Sequence, residues 1–157
     1  LDIRRRVVNG TVLPVTRLRF RVIDVSTFPA PSGIADVRPR TSTDLVVNGI
    51  NDTNTCAGAT PCTVNVLGTT LEQPPTQNNG GGFNSSLSAD TITLATPLAP
   101  GDSINVHFLL GLQQTGSFKF FINVELLTDQ SGGELFRTSS LRKPVKGNTT
   151  KLAISRN

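Results

Sequence analysis

With 157 residues, 15 Lys or Arg against 11 Asp or Glu and a formal net charge of +4, the chain has the size of one domain. A chain of this length buries roughly two thirds of its unfolded surface without needing a metal. It holds 8 Phe but no Trp, Tyr or Met, and no run approaches the roughly 20 apolar residues of a membrane span. The abundance of β-branched residues, Gly, Pro, Ser and Asn points to an all-β chain. With no Met anywhere, Leu1 is expected to follow a processing site or to begin a piece of something longer.

Residues 1–8 read as a strand, broken by "NGT" and the Pro14 region, and Val15–Val25 reads as a longer one. A turn between two such strands predicts a hairpin. Residues 26–43 hold three prolines, which predicts a long connection with a short edge strand near residues 34–37. "LVVNGI" and "TVNVLGTTL" supply two more strands, on either side of "CAGATPC". Residues 73–86 contain paired prolines and three consecutive glycines and read as a loop. The strand, helix and Gly-Lys-Ser/Thr ending of a phosphate-binding loop are missing. Strands resume over residues 87–95.

The strongest alternation comes last. Ile104, Val106, Phe108, Leu110 and Leu112 hold a period of two, as do Phe118, Phe120, Ile122, Val124 and Leu126. These are expected to be central strands paired through "QQTG". Beyond residue 127 the chain turns polar and basic, with two weak β segments, "ELFRTS" and "KLAIS". The organisation is therefore a β domain over residues 1–127 and a basic tail over 128–157.

Cys56 and Cys62 are too far apart for a Cys-x-x-Cys redox motif and have no histidine near them, so a local disulfide in an oxidising compartment is expected. Asn9, Asn51, Asn84 and Asn148 each begin an Asn-x-Ser/Thr sequon. The lone histidine, His107, lies between Val106 and Phe108 and is expected to point away from the core. It has no evident nucleophile or metal co-ligand. The acids show no paired spacing, and "NDTN" and "DQSGGE" lack the spacing of an EF-hand. The reading is of a chain with no catalytic residues, no metal and no cofactor.

Charge is uneven. Residues 1–25 hold six Arg against Asp2 and Asp24, which is +4; residues 128–157 hold six Lys or Arg against Asp129 and Glu134, again +4; the stretch between is −4. Arg17, Arg19 and Arg21 alternate with Leu18, Phe20 and Val22, so the arginines share the solvent face of a strand. Without Tyr or Trp to stack bases, this ladder does not read as a nucleic-acid surface. Attraction to an anionic polysaccharide, or to the acidic body of another copy, fits better. Arg4, Arg5 and Arg6 extend the theme. Arg5 shares the side of Ile3 and Val7 and must reach out, find an acid or meet another molecule.

"LDIRRRVVNGTVLPVTRLRFRVID", "LAPGDSINVHFLL" and "GSFKFFINV" together resemble the Ig-like domains of bacterial secreted and surface proteins, including the cell-adhesion-related domain found in bacteria. The matching positions are Val8, Asn9, Gly10 and Thr11, then Asp24, then Leu98, Pro100, Gly101 and Ser103. The chain is also similar to β-sandwich modules of long secreted proteins of soil bacteria, through "TTLEQPPTQNNGGGFNSSL". The resemblance covers residues 1–127. It implies an Ig-like antiparallel sandwich of 7–9 strands with structural, adhesive or assembly roles and no catalytic residue.

The expected function is that of a secreted or cell-surface, non-enzymatic module that self-associates, as in a pilus-like filament, by exchanging terminal strands. Arg4, Arg5, Arg6, Arg17, Arg19, Arg21, Leu135, Phe136, Leu152 and Ile154 are the expected interface. The alternative is an adhesion or carbohydrate-binding module using the 73–86 loop, with Phe83, Phe121 and Phe136 as its aromatics.

Overall fold

The computed structural model describes residues 1–27, 32–56, 58–74 and 78–128, and the backbone of Arg137–Thr138 and Ile154–Ser155. Its strands are β1 (Asp2–Val8), β2 (Val15–Val25), β3 (Asp36–Arg40), β4 (Leu45–Ile50), β5 (Cys62–Gly68), β6 (Thr70–Gln73), β7 (Ser86–Ser88), β8 (Ser103–Gln114), β9 (Phe120–Thr128), β10 (Arg137–Thr138) and β11 (Ile154–Ser155). No described residue is helical. One sheet runs β11-β1-β8-β5-β4, with β3 also on β8; the other runs β10-β9-β2-β7-β6. The all-β chain expected from composition and alternation, in the sandwich form that the resemblance implied, is what forms. One pair departs from the antiparallel rule, because β5 runs parallel to β8 at Leu67 and Gly68.

The core lies between the sheets. Val7, Val106 and Phe108 from one face meet Leu18, Phe20, Leu87 and Val124 from the other. Phe108 sits edge-on to Phe20, with ring centroids 4.9 Å apart, and contacts Phe120 at 6.0 Å. Such edge-to-face contacts suit the quadrupole of the rings.

Several expected pairings are corrected. β1 and β2 form no hairpin: β1 pairs with β8 and β2 with β9, so residues 9–14 carry the chain between sheets. β8 and β9 likewise lie in different sheets, and "QQTG" belongs to a crossover. The physical reason is common to both. A period of two says which face of a strand is buried, and two strands facing one core from opposite sheets alternate just as neighbours do.

The single strand expected from "TVNVLGTTL" is two, β5 and β6, switching sheets at Thr69. Thr69 is pinned there, its amide donating to Ser42 Oγ at 2.8 Å and its hydroxyl to the His107 carbonyl at 3.0 Å. Gly68 permits the approach, since a Cβ at that position would stand 2.6 Å from the Ser42 carbonyl oxygen. Residues 87–95 hold only the end of β7; beyond it, threonine hydroxyls take over the backbone bonding, with Thr96 Oγ1 donating to the Thr91 carbonyl at 2.6 Å. The edge strand expected near residues 34–37 forms two residues later, as β3.

Candidate interface along the first strand

The arginine ladder on β2 is not a free basic surface. Arg17 donates to Glu72 Oε1 at 2.9 Å, and Arg19 Nε lies 2.6 Å from the same carboxylate's Oε2, close but misaligned for a hydrogen bond. Arg21 makes two bonds to Glu125, at 2.5 and 3.3 Å, and a third to Asn84 Oδ1 at 3.1 Å. Glu125 comes from β9 and Glu72 from β6, so the ladder is an ion-pair lattice laid across the outer face of its own sheet. Arg38 pairs with Asp36, and Lys119 with Asp24.

Among the described residues, Arg4, Arg5, Arg6 and Arg40 have no carboxylate within ion-pair distance, though the charge of Arg4 is felt by Asp2. Three of these four stand in a row on β1. Arg6 straps the strand to its surroundings through Ser103 Oγ at 3.0 Å and the Asn54 carbonyl at 2.6 Å. Arg5 shares the core side with Ile3 and Val7, since it lies opposite Val106 as they lie opposite Phe108 and Ile104. It escapes burial by turning outward, and its Nη1 donates to the Arg4 carbonyl at 2.7 Å. A cleft of about 570 Å³ runs beside these arginines, with Ile3, Ile50, Val64, Phe118 and Phe120 among its walls.

β1 is the first sheet's edge apart from β11, which among the described residues pairs Ser155 with Arg6 and Ile154 with Val7. On the other sheet, β10 pairs with β9 at Leu126 and Glu125. Of the tail residues expected at the interface, Ile154 is thus an edge partner of Val7, while Leu135, Phe136 and Leu152 lie outside the described residues. The structure brings Arg4, Arg5, Arg6 and Ile154 to one edge. It places Arg17, Arg19 and Arg21 elsewhere, on the outer face of the second sheet.

His107 is not simply a solvent-facing ring. It does face away from the core, but it is buried beneath the 41–44 segment. Nδ1 lies 3.1 Å from the Thr43 carbonyl and Nε2 lies 2.6 Å from Asp2 Oδ1. The ring therefore ties β8 to the start of β1 and to the chain that follows β3. Sequence reasoning missed this because Asp2 and His107 are 105 positions apart, and only the β1–β8 register brings them together.

The remaining candidates resolve as structure. Cys56 and Cys62 form a disulfide that closes the loop between β4 and β5, a bond that persists in oxidising compartments. In "NDTN", Asp52 accepts bonds from the Asn54 amide at 3.1 Å and the Thr55 hydroxyl at 2.6 Å, so its oxygens face donors of its own loop. "DQSGGE" lies outside the described residues. Among the described residues no three His, Cys, Asp or Glu side chains are grouped to hold a metal. No helix there is long and apolar enough to cross a membrane. The glycine run packs on β3: the Gly81 amide donates to the Pro39 carbonyl at 2.8 Å, and a Cβ on Gly80 would meet that oxygen at 2.6 Å. Of the sequons, Asn51 and Asn84 are exposed and Asn9 is buried; Asn148 lies outside the described residues.

Two carboxyls are held below their ordinary range, Asp2 chiefly by its hydrogen bond with His107 and Asp52 chiefly by the Thr55 hydroxyl. A depressed folded pKa contributes stability above the unfolded value, near about 4, and that contribution is lost as pH falls through the folded value. The urea midpoint is therefore expected to fall as pH drops below about 4. In Thr55→Val the Asp52 carboxyl should titrate at higher pH by carbon NMR. An unchanged Asp52 titration would show that Thr55 does not set it.

The fold and edge define an all-β sandwich with a cationic strand near one margin. No protein-family model, curated protein or solved structure matches this chain.

Proposed function

We propose that the chain is a non-enzymatic, extracellular structural module whose copies join by exchanging short strands at their sheet edges, giving a pilus-like filament. The observation that carries this reading is that the described tail residues sit on both sheet edges. Ile154 and Ser155 pair with Val7 and Arg6 of β1, and Arg137 and Thr138 with Leu126 and Glu125 of β9. Backbone bonds that a terminal strand makes at a sheet edge are ones that a second copy can remake. The disulfide suits secretion, and basic ends around an acidic body favour encounter between copies.

The adhesive alternative rests on Phe83, which is 73% exposed in the glycine-rich loop and offers a stacking face to a sugar. Light scattering and negative-stain images of the full chain, beside a chain ending at Thr128, separate the two. Oligomers that grow with concentration in the full chain and vanish on truncation are the expected result. A full chain that stays monomeric from micromolar to millimolar concentration overturns the assembly and leaves the adhesive reading.

A further inference from the structure

We propose that Asn48 is a self-modifying site: the Gly49 amide nitrogen attacks the Asn48 side-chain carbonyl, ammonia leaves, and water opens the resulting succinimide to an aspartyl or isoaspartyl link.

The sequence offers this reaction three times, at Asn9-Gly10, Asn48-Gly49 and Asn79-Gly80. Glycine is the follower that obstructs the attack least, because it has no Cβ and turns freely. By composition the three pairs are equal, and the fold separates them.

Asn9 is closed. It is buried, both ends of its carboxamide are bonded, and the Gly10 amide that would have to attack donates to the Val8 carbonyl at 3.0 Å. Asn79 is exposed, but its glycine is buried. A Cβ on Gly80 would stand 2.6 Å from the Pro39 carbonyl oxygen and 2.9 Å from the Arg40 side chain, so bending the chain there means lifting it off β3. Asn84 has a small follower too, Ser85, whose amide is committed to the Gly82 carbonyl at 3.1 Å.

Asn48 and Gly49 are both exposed, and Gly49 has a φ of 73° with nothing within 4 Å of where its Cβ would sit. The ladder steps from Val47 opposite Val64 to Ile50 opposite Cys62, so two residues stand against Thr63 alone. Such a bulge leaves its extra residue outside the ladder, and the local turn that attack requires meets less resistance. Thr63 adds chemistry, since its hydroxyl donates to Asn48 Oδ1 at 2.8 Å. Attack places negative charge on that oxygen, and a donor already aimed at it stabilises the charge as it grows.

The step balances with water alone. The Gly49 nitrogen gives its proton to hydroxide and bonds to Cγ; the Cγ–Nδ2 bond breaks, and the leaving nitrogen takes a proton from water and departs as ammonia. A second water opens the ring. Opening at the side-chain carbonyl leaves an aspartate in an unaltered main chain. Opening at the other carbonyl routes the main chain through the side chain, which sets one extra methylene ahead of Ile50 and its partner Cys62.

The test is to hold the full chain in mildly alkaline buffer, with and without urea, and follow each asparagine by peptide mass spectrometry as a gain of one mass unit. Isoaspartyl product is counted by enzymatic methyl transfer. In native buffer Asn48 should lead Asn9 and Asn79 by at least about tenfold, the selection coming from geometry. In urea the three should react alike. Thr63→Val should slow Asn48 by about threefold to tenfold, less than the loss of a buried oxyanion donor because this one is exposed. Protection of Asn9 in that variant shows that it is folded. Earlier reaction at Asn9, Asn79 or any other asparagine, or the same ranking with and without urea, overturns the site. A Thr63→Val chain that reacts as fast as the unmodified one overturns the part given to the hydroxyl.

Discussion

Replacing Phe108 with alanine is expected to cost about 3–5 kcal/mol of folding stability, the range for deleting a buried aromatic ring. Phe108 is 1% exposed near the middle of β8, and its ring touches rings from both β2 and β9. Truncation removes the contact that joins the two sheets across the core. β8 itself is held by β1, β3 and β5, so the backbone is poorly placed to collapse into the space, and an uncollapsed cavity is the costly kind. Phe108→Leu keeps most of the volume and should cost less than half as much. Phe121→Ala, on the exposed face of β9, should change stability by no more than about 0.5 kcal/mol. Urea midpoints with an unchanged slope would measure all three. Equal losses at Phe108 and Phe121 would mean that the faces of the strands are assigned the wrong way round.

That contrast marks where the sequence is legible. The alternation over residues 104–112 names Ile104, Val106, Phe108, Leu110 and Leu112 as inward; the middle three are buried, Ile104 is partly buried and Leu112 is exposed. The same alternation led to a β8–β9 pairing that does not form, because a strand's pattern carries no mark of its neighbour. Charge behaves alike. The ladder of Arg17, Arg19 and Arg21 is visible in ten residues, but the acids that neutralise it are 55 positions away at Glu72 and 104 away at Glu125. By contrast the disulfide is local, separated by six positions, and cysteine spacing was enough to expect it. Arg5 is the intermediate case. Its conflict with a buried side was readable from Ile3 and Val7, and the way out, over the strand edge to its own neighbour's carbonyl, needed the structure. The same holds for "VNGT" and "LAPGDS", which are distant in sequence and form one corner of the fold.

At that corner, Asn9→Asp is expected to be as damaging at neutral pH as the loss of a core ring. Asn9 is 1% exposed. Its Nδ2 donates to the Leu13 carbonyl at 2.9 Å and the Leu98 carbonyl at 2.8 Å, while Oδ1 accepts from the Thr11 amide at 3.0 Å and the Thr11 hydroxyl at 2.7 Å. Its own carbonyl takes the Gly101 amide at 2.8 Å. One residue thus binds the first crossover between sheets to the turn that launches β8. Exchanging NH2 for a carboxylate oxygen sets a buried charge against two carbonyl acceptors, and breaking such a site costs about 3–5 kcal/mol. The new carboxyl would escape by holding a proton, so its folded pKa lies above the unfolded value of about 4. The penalty is then largest at neutral pH and shrinks as pH falls toward about 4, where the unfolded chain is protonated as well. Asn9→Ala loses the same bonds without the charge, for about 2–4 kcal/mol, and its penalty should not vary with pH in this way. Urea midpoints for both variants between pH 7 and 4 carry the test. Parallel pH profiles would mean that position 9 is wet enough to hold a charge, and the two turns would then be neighbours without being fastened. Divergent profiles would show that the amide of Asn9 is occupied on both faces in the folded chain, which also closes its sequon to any glycan once folding is complete.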